Sequence, residues 1–187
     1  MNQTLKPIEP PFPTDIAQIL KTYPAGDDGY ILKLFRLFAN SRRFLSGKGV
    51  LNLLDKDSPL SLREREIVIL RVTANLDCEY EWGVHVSVFS KAAGLDKQQV
   101  RYTRTSNTDT DTDIGIWTAK EMLLLRVIDE LCEQGSVQID TYGKFQHHWS
   151  YAEQLEIFAL CGNYHTISYV ANSTGLPLEE TGARFPE

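Results

Sequence analysis

The stretch SLREREIVILRVTANL, residues 61–76, constrains the fold of this chain more than any other. Ser61 with Glu64 three residues on is the pattern of a capping box. In it, hydroxyl and carboxylate each satisfy a backbone N–H that a helix start leaves orphaned. The run IVILRV taken alone also suits a strand. Its unbroken continuation from an acidic, capped start makes it a buried helix. A helix apolar all round has to lie at the centre of something, so other helices must be found to surround it.

The rest of the chain supplies them. Pro13-Thr14-Asp15 opens a short helix over IAQILKTY. YILKLFRLFANSRRFL, residues 30–45, spaces its apolar residues at three and four, which predicts one helix. A helix from about Cys78 to Ala92 ends at Gly94, a natural left-handed stop. Asp96 caps KQQVRYTR, and further helices fall near 118–134, 140–148 and 151–173. No segment alternates with period two for long, and hairpin dipeptides are missing. The predicted fold class is all-α. EIVILRV (66–72) and EMLLLRV (121–127) echo one another, as do KAAGL and NSTGL, suggesting two paired halves. The polar TSNTDTDTDIG, residues 105–115, reads as the connection between them. The expected organisation is an N-terminal arm and short helix over 1–29, one domain over 30–180 and a tail over 181–187.

Composition narrows the partners. A formal charge of −6 and a pI near 5.3 argue against a nucleic-acid backbone, which calls for a basic face. The densest basic spot is Arg42–Arg43. No apolar run reaches the roughly 18–20 residues of a membrane span, and the N-terminus carries no secretory apolar region. A cytoplasmic location follows as the expectation, with no membrane partner. Three cysteines without a CxxC form neither a disulfide framework nor a four-ligand zinc site. Cys132 and Cys161, on apolar helix stretches, read as small core residues.

The chemistry concentrates in LDCEYEWGVH, residues 76–85. On a helix, Cys78, Glu81 and His85 fall within about 60° of one another, with Trp82 beside them. In a first helical turn Cys78 would have its thiol pKa lowered by the helix dipole. Glu66 sits on the preceding helix and, in an antiparallel pair, points back at the same face. A carboxylate beside an imidazole orients it and sets its basicity. Glu81 next to Trp82 suits a general acid of raised pKa. Arg71 is a candidate for holding a substrate carboxylate, or for a structural ion pair with Glu66 or a neighbour. Glu79 lies off this face and is expected in solvent. Glu81 and His85 at i, i+4 do not match the Glu-x-x-His spacing of di-iron bundles, so no metal ligands and no cofactor are assigned. His147–His148 reads as a surface pair. Trp117, Trp149 and the 31–45 run serve core or subunit packing.

The pattern Glu66, Cys78, Glu81, His85 within SLREREIVILRVTANLDCEYEWGVH closely resembles the carboxymuconolactone decarboxylase family, which includes alkyl hydroperoxidase D-like proteins. The resemblance continues through AAGL, LLLRVIDELCEQGSV and GNYHTISYVANSTGLPLE, over roughly residues 30–180. It implies helical hairpins assembled as trimers or hexamers, and a small-molecule substrate. In the hydroperoxidase branch the motif is Glu, then Cys-x-x-Cys, then His, with the two thiols forming the working disulfide. Glu66, Cys78 and His85 match three of these positions; Glu81 stands where the second cysteine would be. A carboxylate forms neither a sulfenic acid nor a disulfide. Three readings stay open. One is an acid–base enzyme acting on a carboxylated or lactone substrate, with Glu66, Cys78, Glu81 and His85 as catalytic candidates and Tyr80, Trp82, Arg71 and His165 around the substrate. The second is a peroxiredoxin-like activity through Cys78 alone, and the third is a non-catalytic oligomeric binding protein.

Overall fold

The computed structural model describes residues 6–46, 58–105 and 115–186. Along them run α1 (Thr14–Leu20), α2 (Lys33–Phe38), α3 (Arg42–Leu45), α4 (Leu62–Asn75), α5 (Glu79–Phe89), α6 (Lys97–Thr105), α7 (Ala119–Gln134), α8 (Ile139–His148) and α9 (Tyr151–Thr174). Among the described residues the only β-type pairing is an isolated bridge between Ala25 and Ile31. No helix among the described residues is long and apolar enough to cross a membrane. Most of the polar connection, residues 106–114, lies outside the described residues.

Helix α4 is the axis. Every residue from Arg65 to Ala74 is buried, because α5, α6, α7 and α9 all pack around it. The Ser61–Glu64 capping box forms as the sequence predicts. Thr118–Glu121 opens α7 and Ser150–Glu153 opens α9 in the same way. The first two caps are also bound to each other. Arg63 Nε donates to Glu121 Oε1 at 2.6 Å, and Lys120 Nζ donates to Glu64 Oε1 at 2.8 Å. Each helix thus sends the cation of its second position to the capping glutamate of the other. Glu64 is held at a pKa of about 2: burial would raise it, but Lys120 and the Ser61 hydrogen bonds outweigh that. The two halves are therefore equated cap to cap, Glu64 with Glu121, two residues away from the match of Glu66 with Glu121 that the sequence echo suggests.

Two predicted helices differ in extent. The 30–45 pattern is broken into α2 and α3, because Asn40 turns the chain: its side-chain Nδ2 donates to Leu37 O and Lys6 O. Such local side-chain bonds offer the backbone an alternative to the next helical turn. Helix α5 begins one residue later than expected. Asp77 takes a left-handed φ of 51°, tolerated by a short polar side chain, and leaves Cys78 as the N-cap of α5.

Helices α1–α3 pack on one another, and the C-terminal segment after α9 ties them to the bundle. Glu179 accepts hydrogen bonds from Tyr30 Oη (2.7 Å), Tyr80 Oη (2.6 Å) and the backbone N–H of Lys33 (2.8 Å). It thereby caps α2 from another part of the chain, since Leu32 at the N-cap has no side-chain cap bond. These bonds hold the Glu179 carboxylate below its ordinary pKa despite burial, which acts the other way. Further on, Ala183 N–H donates to Gly83 O at 3.1 Å. Phe185 stacks on Trp82 with ring centroids 5.2 Å apart.

Candidate active site

Three side chains from three helices meet around one imidazole. The antiparallel approach of α4 and α5 places Glu66 Oε2 2.9 Å from His85 Nδ1. One turn back on α5, Glu81 Oε1 lies 3.5 Å from His85 Nε2. Helix α9 brings Tyr164 Oη to 3.0 Å from the same nitrogen, its ring edge-on to the imidazole. All four residues are buried, none more than 7% exposed. Burial alone would lower the pKa of His85. The Glu66 carboxylate and its hydrogen bond, with Glu81 adding to both effects, outweigh it and raise the value to about 9. Burial, then the charges of Glu81 and Glu66, push the Tyr164 phenol well above its ordinary range.

These residues form one wall of a cavity of ≈1720 Å³. Ile69, Val84, Phe89 and Ile167 add apolar surface to the lining, to which residues of α1–α3 and Glu179 also contribute. The cations that line the cavity are bound to carboxylates: Lys33 to Glu179, Arg36 to Glu9, Arg65 to Glu156. Among the described lining residues two buried polar atoms have no hydrogen-bond partner, Arg36 Nε and Glu81 Oε2.

Glu66, Glu81 and His85 thus come together as the spacing implies, but Cys78 does not join them. Its side chain is fully buried and is not part of the cavity lining. Burial pushes the thiol pKa up, against the smaller opposing effects of the Glu81 backbone and the Ser168 hydroxyl. The expectation of a pKa lowered by a helix start is corrected: desolvation wins over the dipole.

The residues expected around a substrate are placed elsewhere. Arg71 makes a two-pronged ion pair with Asp129, Nε to Oδ1 at 2.6 Å and Nη2 to Oδ2 at 2.8 Å, and also donates to Thr103 O. It joins α4 to α7 and does not line the cavity, so its structural alternative holds, with Asp129 as the partner. Trp82 donates from Nε1 to Thr103 Oγ1 at 3.0 Å, packs on Phe185 and is not part of the cavity lining. The Tyr80 hydroxyl is taken up by Glu179 and the Leu34 N–H. His165 bonds through Nδ1 to Cys161 O, one turn back on its own helix; its neighbour Tyr164 is the one that enters the site. Glu79, expected in solvent, accepts the Phe185 N–H. Among the described residues no group of three or more His, Cys, Asp or Glu side chains is arranged to hold a metal ion.

Residues 48–123 match the model of the carboxymuconolactone decarboxylase family. No curated protein matches the sequence. Among solved structures, an uncharacterized peroxidase-related protein from Silicibacter sp. TM1040 superposes with a TM-score of 0.76. It is 16% identical, over 98% of this chain and 97% of its own. A protein of unknown function from Agrobacterium tumefaciens, ATU0492, given as a candidate antioxidant defence protein AhpD, superposes with a TM-score of 0.60 at 22% identity. That match covers 71% of this chain and 89% of the other. At these identities the two structures speak for the fold, and the matched segment carries Glu66, Cys78, Glu81 and His85. Residues 48–123 thus resemble the carboxymuconolactone decarboxylase family, and the chain has the all-helical fold of these two solved structures.

Proposed function

We propose that the protein is a small-molecule enzyme working by acid–base chemistry, with His85 as the proton carrier and Glu66 as the group that orients and charges it. One observation carries this reading: both ring nitrogens of a buried histidine are engaged, Nδ1 by Glu66 and Nε2 by Tyr164 and Glu81, at the wall of a large, mostly apolar cavity. An imidazole held in this way passes protons without reorienting. Decarboxylation, the reaction in the family's name, leaves a carbanion that needs charge stabilisation and a proton, and these side chains supply both. The thiol reading is weaker, because a peroxide in the cavity does not meet Cys78, and a thiol of raised pKa is a poor nucleophile.

The test is an NMR screen of lactones and oxo-carboxylic acids, with a parallel assay of peroxide consumption. It uses wild type, Glu66→Gln, His85→Ala and Cys78→Ser. Turnover that falls about 100-fold or more in the first two variants and persists in Cys78→Ser is the expected result. Peroxide consumption that disappears in Cys78→Ser would overturn the proposal.

A further inference from the structure

The hydrogen count around His85 has one proton and one lone pair to spare. With a pKa of about 9 the imidazole carries hydrogen on both nitrogens at neutral pH. Nδ1–H donates to Glu66. Nε2–H faces the Tyr164 oxygen at 3.0 Å, which must therefore accept. The phenol's own hydrogen then needs an acceptor. Among the described residues Tyr164 Oη has no bonding partner besides His85 Nε2, and Tyr164 lines the cavity. Buried hydroxyls are seldom left without an acceptor, so this one is aimed at something that occupies the cavity. Beside it, Glu81 has the opposite need: its Oε2 is a buried acceptor without a donor. The carboxylate turns on a soft terminal torsion, so either oxygen reaches the cavity.

A ligand that satisfies both has an oxygen acceptor and, next to it, a hydrogen to give up. We propose that Tyr164 and Glu81 are the substrate-facing pair of an enolisation site. Tyr164 holds the oxygen of a carbonyl compound, and Glu81 removes a proton from the carbon beside that carbonyl. This rests on the acid–base reading above and names its substrate class. In the forward step the C–H proton passes to the Glu81 carboxylate. The C–H electron pair becomes the new C=C bond, and the C=O π pair moves onto oxygen. That oxygen takes the Tyr164 proton, which His85 Nε2–H replaces, leaving a neutral imidazole whose Nδ1–H stays donated to Glu66. Return of the proton from Glu81 to carbon, at the same or a conjugated position, reverses the flow. No oxidant or reductant enters. Tyr164 touches the substrate and is thereby a catalytic residue, whereas Glu66 acts through His85 and is a positioning residue.

Two probes test this with the full chain. The first is 4-nitrophenolate, a planar enolate mimic whose binding is read by absorbance and needs no turnover. Wild type binds it. Tyr164→Phe weakens binding about 100-fold, the scale of one lost oxyanion donor, and Glu81→Gln tightens it by removing a like charge. The second is cyclohexanone in D₂O, followed by NMR for deuterium at the carbons beside the carbonyl. Wild type exchanges faster than buffer, and both variants lose that exchange while keeping wild-type melting curves. Absence of phenolate binding, or binding indifferent to Tyr164→Phe, overturns the proposal. Phenolate binding without ketone exchange overturns the role of Glu81 as base. If exchange survives in His85→Ala, the acid–base relay itself fails, whatever the phenolate does.

Discussion

At the scale of single residues, the feature that sets the chemistry is a buried histidine held between two carboxylates. In the unfolded chain that imidazole titrates near 6.5; in the folded protein it keeps its proton to about 9. The folded state therefore binds the proton more tightly, and stability from charged His85 is complete below pH 6.5 and lost as pH rises through 9. Melting temperatures measured in steps across that window should fall, and Glu66→Gln should flatten the slope by removing the main cause of the shift. A slope that Glu66→Gln leaves unchanged would show that some other group is titrating. Glu66, Glu81 and His85 were legible as a cluster because helical periodicity alone puts Glu81 and His85 on one face. Tyr164 was not. It reaches the imidazole from 79 residues away, and no periodicity connects α5 with α9. Cys78 misled for the opposite reason: its place at a helix start was readable, but the burial that overrides the dipole was not.

At the scale of elements, the contact between α5 and the C-terminal segment leaves no room for a side chain. A Cβ on Gly83 would stand 2.2 Å from the backbone oxygen of Ala183, and a backbone atom cannot step aside as the tip of a flexible side chain does. Gly83→Ala should cost about 1–3 kcal/mol, the usual range for overpacking, measured by chemical denaturation. Because the same segment carries Glu179, the substitution should also loosen α2, seen as faster amide exchange at Lys33. A fully stable Gly83→Ala protein would show that the segment is not fixed along α5. Helix α4 was legible from end to end because cap, length and apolar run all agree. The break between α2 and α3 was not, since apolar spacing continues through it. It depends on Asn40 finding Lys6, a residue the pattern does not link to it.

At the scale of the whole molecule, the two halves are joined by exchanged cations at the starts of α4 and α7, and by Arg71 with Asp129 further along. The cap-to-cap register sets Glu66 opposite Leu123, so the second half holds no copy of the site. Helix α9 exposes Tyr151 (83%), Leu155 (68%) and Tyr169 (61%). Large apolar side chains displayed together on one helix commonly mark an association surface. We propose that the trimer or hexamer implied by the resemblance to that family forms through this face. Light scattering should give a mass well above 21.2 kDa, reduced by Leu155→Glu; a strict monomer in wild type would refute it.

The cavity has two authors. The His85 cluster is drawn from α4, α5 and α9, whereas much of the remaining lining comes from residues 14–46 and the segment bearing Glu179. On the proposed chemistry, reactivity and selectivity are therefore encoded in separable stretches of gene. Grafting residues 14–46 from a relative would change which molecules are admitted and leave the reaction untouched, a modular route by which one scaffold diversifies.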